Sequence, residues 1–224
     1  HPPPTVPSPP PAWRHIGVTT ASETPTCLHV GERHTVRGMA VAGVRSATRE
    51  DAPTLAVLHR VTWRAAYSEL LPAGALDALE APRVQQAWAD TIEGGATVLI
   101  ATEGADPVGF VVAGPAPEED VSAADGTLPS DAARTVLVST LLVEPRWGRR
   151  GHGGRLLGAA AAALRDAGAT RGIVWVPAED PASLSFYRRA GWNPDGTVRT
   201  LDANGRPLRE LRLTGSLNLV LTDA

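Results

Sequence analysis

From Met39 onward, apolar positions recur at a strand or helix period, and before it they follow neither. Residues 1–38 hold seven prolines in their first eleven positions and no sustained pattern, which predicts an extended or disordered leader. Met39–Arg45 reads as a short strand. Thr48 to Asp51 then has the form of a helix cap, and Leu55, Leu58, Thr62 and Ala65 follow at helical spacing. Pro72–Leu79 and Arg83–Ile92 read as further helical pieces, stopped by Gly94-Gly95. Thr97–Thr102 is an apolar strand, Glu103–Pro107 a turn and Val108–Ala113 the returning strand of a hairpin. Gly114–Arg134, rich in Ala, Pro and Asp, reads as a long solvated connection.

Thr135–Val143 (TVLVSTLLV) is the strongest strand pattern, followed by Pro145, a Gly/Arg cluster and a helix. Leu156, Leu157, Ala160, Ala161 and Leu164 line one face of that helix, and Gly168 closes it. Ile173–Val176 predicts another strand, Pro181–Arg189 a short helix ended by Gly191, and Trp192–Leu213 two strands around Asn204-Gly205. In the tail, Leu211, Leu213, Leu217, Leu219 and Leu221 share one parity, broken only at Gly215. An apolar strand face at a sheet end predicts cover by a second subunit, hence a homodimer. The whole reads as an α/β chain, mixed α+β in detail. It divides into a leader (1–38), one domain (39–214) and a tail (215–224).

Composition narrows the chemistry. With 224 residues, 43% hydrophobic, and a net charge of −3, the chain supports one sizeable core, or at most two small ones, and lacks the basic excess that grips nucleic acid. All 21 basic side chains are Arg, which excludes a Walker-type lysine, a Schiff-base lysine and a pyridoxal-phosphate anchor. The single Cys27 cannot form an internal disulfide, and Cys27, His29 and His34 lack a fourth ligand at metal spacing. The longest strongly apolar stretch, Leu156–Leu164, is about half of a membrane span, and the first residues lack a signal-peptide pattern. These features predict a cytoplasmic protein with no metal and no membrane contact.

Leu141–Leu157, LLVEPRWGRRGHGGRLL, carries the candidate chemistry. A strand ends, a loop with Gly148, Gly151, Gly153 and Gly154 follows, and a helix begins. Free N–H groups and the dipole at a helix start, with Arg149, Arg150 and Arg155 beside them, form a receptor for a pyrophosphate or another polyanion. The dinucleotide fingerprint fails because position 156 is Leu. No GxSxG nucleophile or HExxH zinc motif exists in the chain.

The segment VEPRWGRRGHGGRLL resembles the acetyl-CoA pyrophosphate loop of the GNAT superfamily of acyl-CoA-dependent N-acyltransferases, matching at Gly151 and Gly153. Gly148 stands where that loop usually has Gln or Arg, a contact for which Arg149 or Arg146 is available. DPASLSFYRRAGW, Asp180 to Trp192, is similar to the family's Asn-x-x-Ala-x-x-Phe-Tyr-x-x-x-Gly-Phe segment, with Asp180 in place of Asn and Ser183 in place of Ala. LHRVTWRAAYSELLP, Leu58 to Pro72, is similar to the first helix and turn of many bacterial members.

The resemblance implies a central mixed, mostly antiparallel sheet flanked by helices, and acetyl-CoA as co-substrate. It implies a donor site of Leu141, Leu142, Val143, Arg149, Arg150, Gly151, His152, Gly153, Gly154, Arg155, Asp180 and Ser183. The strand around Leu141–Val143 would bulge to offer amides to the pantetheine and the thioester carbonyl, each well-placed donor being worth ~3 kcal/mol. Tyr187 would be the general acid for the departing sulfur, with Glu144 or Glu103 as base, while Trp63, Arg64 and Tyr67 would lie near the acceptor. The acceptor is an amine, either a small molecule or a peptide amine. Two other readings stay open: an acyl-CoA sensor without turnover, and a protein-modifying module recruited through the leader.

Overall fold

The computed structural model describes residues 41–67, 83–123, 125–203 and 206–219. The leader, including Cys27, His29 and His34, the helix expected at Pro72–Leu79, the Asn204-Gly205 turn and Leu221 lie outside the described residues.

A strand β1 (Ala42–Ser46) leads into a 3-10 turn and the helix α1 (Ala52–Tyr67). The expected cap is present: the Thr48 N–H donates to Asp51 Oδ2 at 2.8 Å, and Arg45 grips both Asp51 oxygens at 2.7 Å. The helix α2 (Arg83–Glu93) precedes a hairpin of β2 (Thr97–Glu103) and β3 (Asp106–Pro115), whose turn is tighter than expected. A one-turn helix α3 (Glu118–Val121) lies before β4 (Thr135–Val143). Then come α4 (His152–Asp166), β5 (Arg171–Pro177), α5 (Pro181–Arg189), β6 (Asn193–Ala203) and β7 (Arg206–Ser216).

Among the described residues, seven strands form one sheet in the order β1-β2-β3-β4-β5-β7-β6. Every pairing is antiparallel except β4 with β5, which pair in parallel only from Thr135↔Arg171 to Leu137↔Ile173. Beyond that point the two central strands separate, opening a split in the middle of the sheet.

Helices cover both faces. Leu156, Leu157, Ala160, Ala161 and Leu164 of α4 pack with Tyr187 and Trp192 against Val111, Val138, Val174 and Leu213. On the opposite face, Leu55, Leu58 and Trp63 of α1 and Trp88 of α2 pack on Ile100, Phe110 and Leu142. Ala65 is exposed: the buried stripe of α1 runs through Leu55, Leu58, His59, Thr62 and Trp63 instead.

Three expectations are corrected. The bulge in β4 is not at Leu141–Val143 but at Ser139, where Thr140 pairs with Val112 and Val138 with Ala113. Ser139 Oγ donates to the Val112 carbonyl at 3.2 Å, tying the extra residue to β3. The Gly114–Arg134 segment is not merely a solvated connection, because Asp120 and Val121 are buried and Arg212 donates to the carbonyls of Asp120 and Ser122 at 2.8 Å each. The tail parity has an internal explanation as well. Leu211, Leu213, Leu217 and Leu219 pack against the core of their own chain, with β7 held between β5 and β6.

Candidate active site

The glycine loop lies where β4 ends. A 3-10 turn at Pro145–Trp147 redirects the chain, and Arg149 (φ 59°) and Gly151 (φ 80°) both adopt left-handed backbone. At Gly151 that conformation suits a residue without a Cβ, and it starts α4 abruptly. The helix ladder opens with the Arg155 N–H donating to the Gly151 carbonyl at 3.0 Å, so the N–H groups of Gly151 to Gly154 have no acceptor within the helix. A Cβ at Gly154 would meet nothing within 4 Å, whereas one at Gly153 would lie 3.2 Å from Phe186 Cε2. The backbone is therefore open to a close-approaching group at Gly154. The exposed Arg149, Arg150 and Arg155 surround it with positive charge. This arrangement fits a pyrophosphate.

The loop is held from behind. The side chain of His152 is 0% exposed, and its Nε2 lies 3.0 Å from Glu103 Oε2 at the end of β2. That approach is a close polar contact rather than an aligned hydrogen bond, and becomes an ion pair only if the imidazole is protonated. Burial holds the imidazole below its ordinary range, outweighing the pull of Glu103. Trp147 packs edge-on to His152 and carries the Arg150 guanidinium 4.8 Å above its ring. Arg155 folds back to donate to the Arg150 carbonyl at 2.8 Å.

Helix α5 brings three polar residues onto one face. Asp180 caps it, accepting from the Ser183 N–H at 3.0 Å and from the Ser183 hydroxyl. Asp180 and Ser183 therefore serve each other first. Tyr187, one turn further on, is 0% exposed, with its ring stacked on Trp192 at 5.6 Å and edge-on to Phe186 at 5.0 Å.

The remaining expected residues scatter. Leu141, Leu142 and Val143 are buried past the bulge, so their side chains serve the two cores, and only their backbone borders the split. Glu144 pairs with Arg146 at the far end of β4 and lines a surface groove of about 400 Å³ with Pro53, Val57, Val61 and Pro107. Four residues of strand, Thr140 to Val143, lie between it and the bulge, a span of about 16 Å. Glu103 is occupied by His152. Trp63 is buried against His59, centroids 4.8 Å apart, and serves as packing. Arg64 is exposed, and the Tyr67 side chain lies outside the described residues.

Sequence reasoning missed Glu210. It is 0% exposed on β7, accepting from Arg199 Nε at 2.7 Å. Burial pushes its carboxyl up to about 7, against the opposing pull of Arg199. The signal was present in LRELRL, where Glu210 and Arg212 share the parity opposite to Leu211 and Leu213. What covers that second face is set by α3 and β6, and no local pattern announces it.

Comparison with known proteins agrees with this geometry. Residues 55–192 match the sequence model of the acetyltransferase (GNAT) family. A probable N-acetyltransferase of Mycobacterium tuberculosis is 26% identical over 160 residues, covering 70% of this chain and 83% of that protein. The PaiA N-acetyltransferase of Thermoplasma acidophilum, solved with coenzyme A, superposes with a TM-score of 0.58 at 15% identity, over 76% of this chain and 98% of that one. The YncA acetyltransferase of Salmonella typhimurium, solved with acetyl-CoA, gives a TM-score of 0.54 at 15% identity, over 79% of this chain and 94% of that one. With a split sheet, an open glycine loop and a matching family model over most of its described length, the chain belongs to the acetyltransferase (GNAT) family.

Proposed function

We propose that this protein moves an acetyl group from acetyl-CoA directly to the nitrogen of an amine, either a small molecule or a peptide amine, with Tyr187 as general acid. Acetyl-CoA supplies an activated acetyl thioester when bound. The observation that carries the reading is the open N-terminus of α4, with amides of Gly151–Gly154 beside the end of a strand that has left its neighbour. Those amides and Arg149, Arg150 and Arg155 hold a pyrophosphate. The β4 edge beyond Leu137, no longer paired to β5, leaves backbone groups to orient an extended chain along it. The face of α5 bearing Asp180, Ser183 and Tyr187 provides buried polar groups on the same side of the sheet as α4. Tyr187 gives its phenol proton to sulfur as negative charge develops there.

The test is CoA release across a library of small amines and peptides with amino-terminal or side-chain amines. Release with at least one acceptor is expected. Tight CoA binding without release for any acceptor would replace transfer by a sensing role, and absence of CoA binding would remove the reading altogether.

A further inference from the structure

We propose that Glu210 is the proton acceptor for the incoming amine, placed on the face of the sheet opposite to Tyr187; this rests on the transfer reading above. Its position follows from register. Glu210 pairs with Pro177, the last residue of β5, which lies four residues past the end of the β4–β5 pairing at Ile173. Four residues past Leu137 on β4 is Leu141, just beyond the Ser139 bulge. Glu210 therefore stands level with the widened part of the split, about 13 Å past its apex, on the strand just behind β5. Leu211 and Leu213 turn to the α4–α5 face with Tyr187, so Glu210 and Arg212 turn to the other, beside Trp175.

The surroundings favour a working carboxylate over a purely structural one. Arg199 of β6 reaches Glu210 Oε2 at 2.7 Å and Asp120 Oδ1 of α3 at 2.8 Å, and its guanidinium sits 4.1 Å over the Trp175 ring. Trp175 Nε1 also donates to Asp120, while Arg212 is taken by Asp195 and by the carbonyls of Asp120 and Ser122. One Glu210 oxygen is thus anchored, and the other, Oε1, is buried with no hydrogen-bond partner. A buried carboxylate oxygen with no partner is costly to keep, and a proton is the partner it lacks. A group poised near neutrality is suited to taking and releasing a proton at working pH.

The step balances. As the neutral amine nitrogen bonds the acetyl carbon, Glu210 Oε1, directly or through one water, takes the proton that nitrogen sheds. The carbon–sulfur bond breaks with its electron pair on sulfur, and sulfur is protonated by Tyr187. Glu210 then releases its proton to solvent, and the Tyr187 phenolate regains one from it.

Two measurements test this on the full chain. Infrared titration of the wild type alone should show a protonated-carboxyl band rising through pH 7 that is missing from Glu210→Gln. A band that appears only below pH 5.5, or that survives in the variant, would overturn the assignment. With a competent amine, kcat/KM of the wild type should fall on the acid side of about 7. Glu210→Gln should lose about a hundredfold together with that limb, Glu210→Asp should keep the limb, and calorimetric CoA affinity should stay within about twofold. Wild-type rates in Glu210→Gln, or an unchanged acid limb, would defeat the base role while leaving transfer intact. If the wild type itself releases no CoA with any acceptor, transfer fails and the base role falls with it.

Discussion

His152 Nε2 lies 3.0 Å from Glu103 Oε2, so the first residue of α4 is tethered to the last residue of β2. The contact does not face the phosphate-binding side; it fixes the loop from behind, with Trp147 edge-on to the imidazole. Removing one partner loosens a loop whose amides must converge on a single ligand. Glu103→Ala should therefore raise the CoA dissociation constant about threefold to tenfold, on the order of 1 kcal/mol for one lost polar contact. Turnover at saturating acetyl-CoA should barely change. Calorimetry and saturation kinetics check this, and an unchanged affinity would leave the pair with no role in the loop.

Neighbouring glycines in the loop should behave differently. Gly153 faces Phe186 at 3.2 Å and Leu141 at 3.8 Å from an added Cβ, while Gly154 faces open space. Gly153→Val should shift Phe186 and cut CoA affinity at least tenfold. Gly154→Ala should fold normally and gain about 0.5–1 kcal/mol of helix stability. Thermal melts separate the two, and equal effects on stability would remove the steric argument.

Trp192 sits in a slot made by two glycines. Gly172 and Gly215 pair across β5 and β7, and a Cβ on either would come 2.2 Å and 2.3 Å from the indole. The indole N–H donates to the Ser216 carbonyl at 3.1 Å. Gly172→Ala or Gly215→Ala should cost about 1–3 kcal/mol by overpacking, and Trp192→Ala about 3–5 kcal/mol. Denaturant melts measure this. A neutral Gly215→Ala would mean that the slot relaxes freely.

Acid should unfold the protein partly through His59. It is 3% exposed among Trp63, Trp88 and Phe110, and burial lowers its pKa to about 3 from 6.5. The neutral ring is favoured in the folded state, so its contribution is intact above pH 6.5 and is lost as pH falls toward 3, by on the order of 1.4 kcal/mol per pH unit. Glu210 acts with the opposite sign, since its raised value favours the folded state as pH falls from about 7 to 4.5. The comparison is therefore between wild type and His59→Leu at each pH, and the variant should lose less stability between pH 6.5 and 4. Parallel curves would remove His59 from acid unfolding.

Tyr187→Phe keeps the ring stacked on Trp192 and removes only the proton donor. Turnover should fall by about ten- to a thousandfold, on the order of 1.4 to 4 kcal/mol, with CoA affinity nearly unchanged. Full activity where chemistry limits the rate would assign sulfur protonation to solvent and leave Tyr187 as packing.

Local rules governed what could be read from the chain alone. β4 and α5 were read at their observed limits, because an apolar run rich in β-branched residues and a Pro-started, Gly-ended segment each specify their own backbone. The glycine loop was legible for the same reason: its conformation and its unpaired N–H groups are set within seven residues. The place of the bulge was not legible, since it depends on how β3 meets β4 and one shifted residue conserves the same apolar run. Leu217 and Leu219 read as part of an apolar face for a second subunit to cover, because periodicity does not say which surface covers them, and both pack on the chain's own core. Glu210 and His59 carried no local sign of their environment. Their shifted protonation comes from burial by elements distant in sequence, and desolvation is a property of the assembled fold, not of the residue. Local pattern thus determined the strands, the helices α1, α2, α4 and α5 and the glycine loop; the assembled fold decided which charges lost their water.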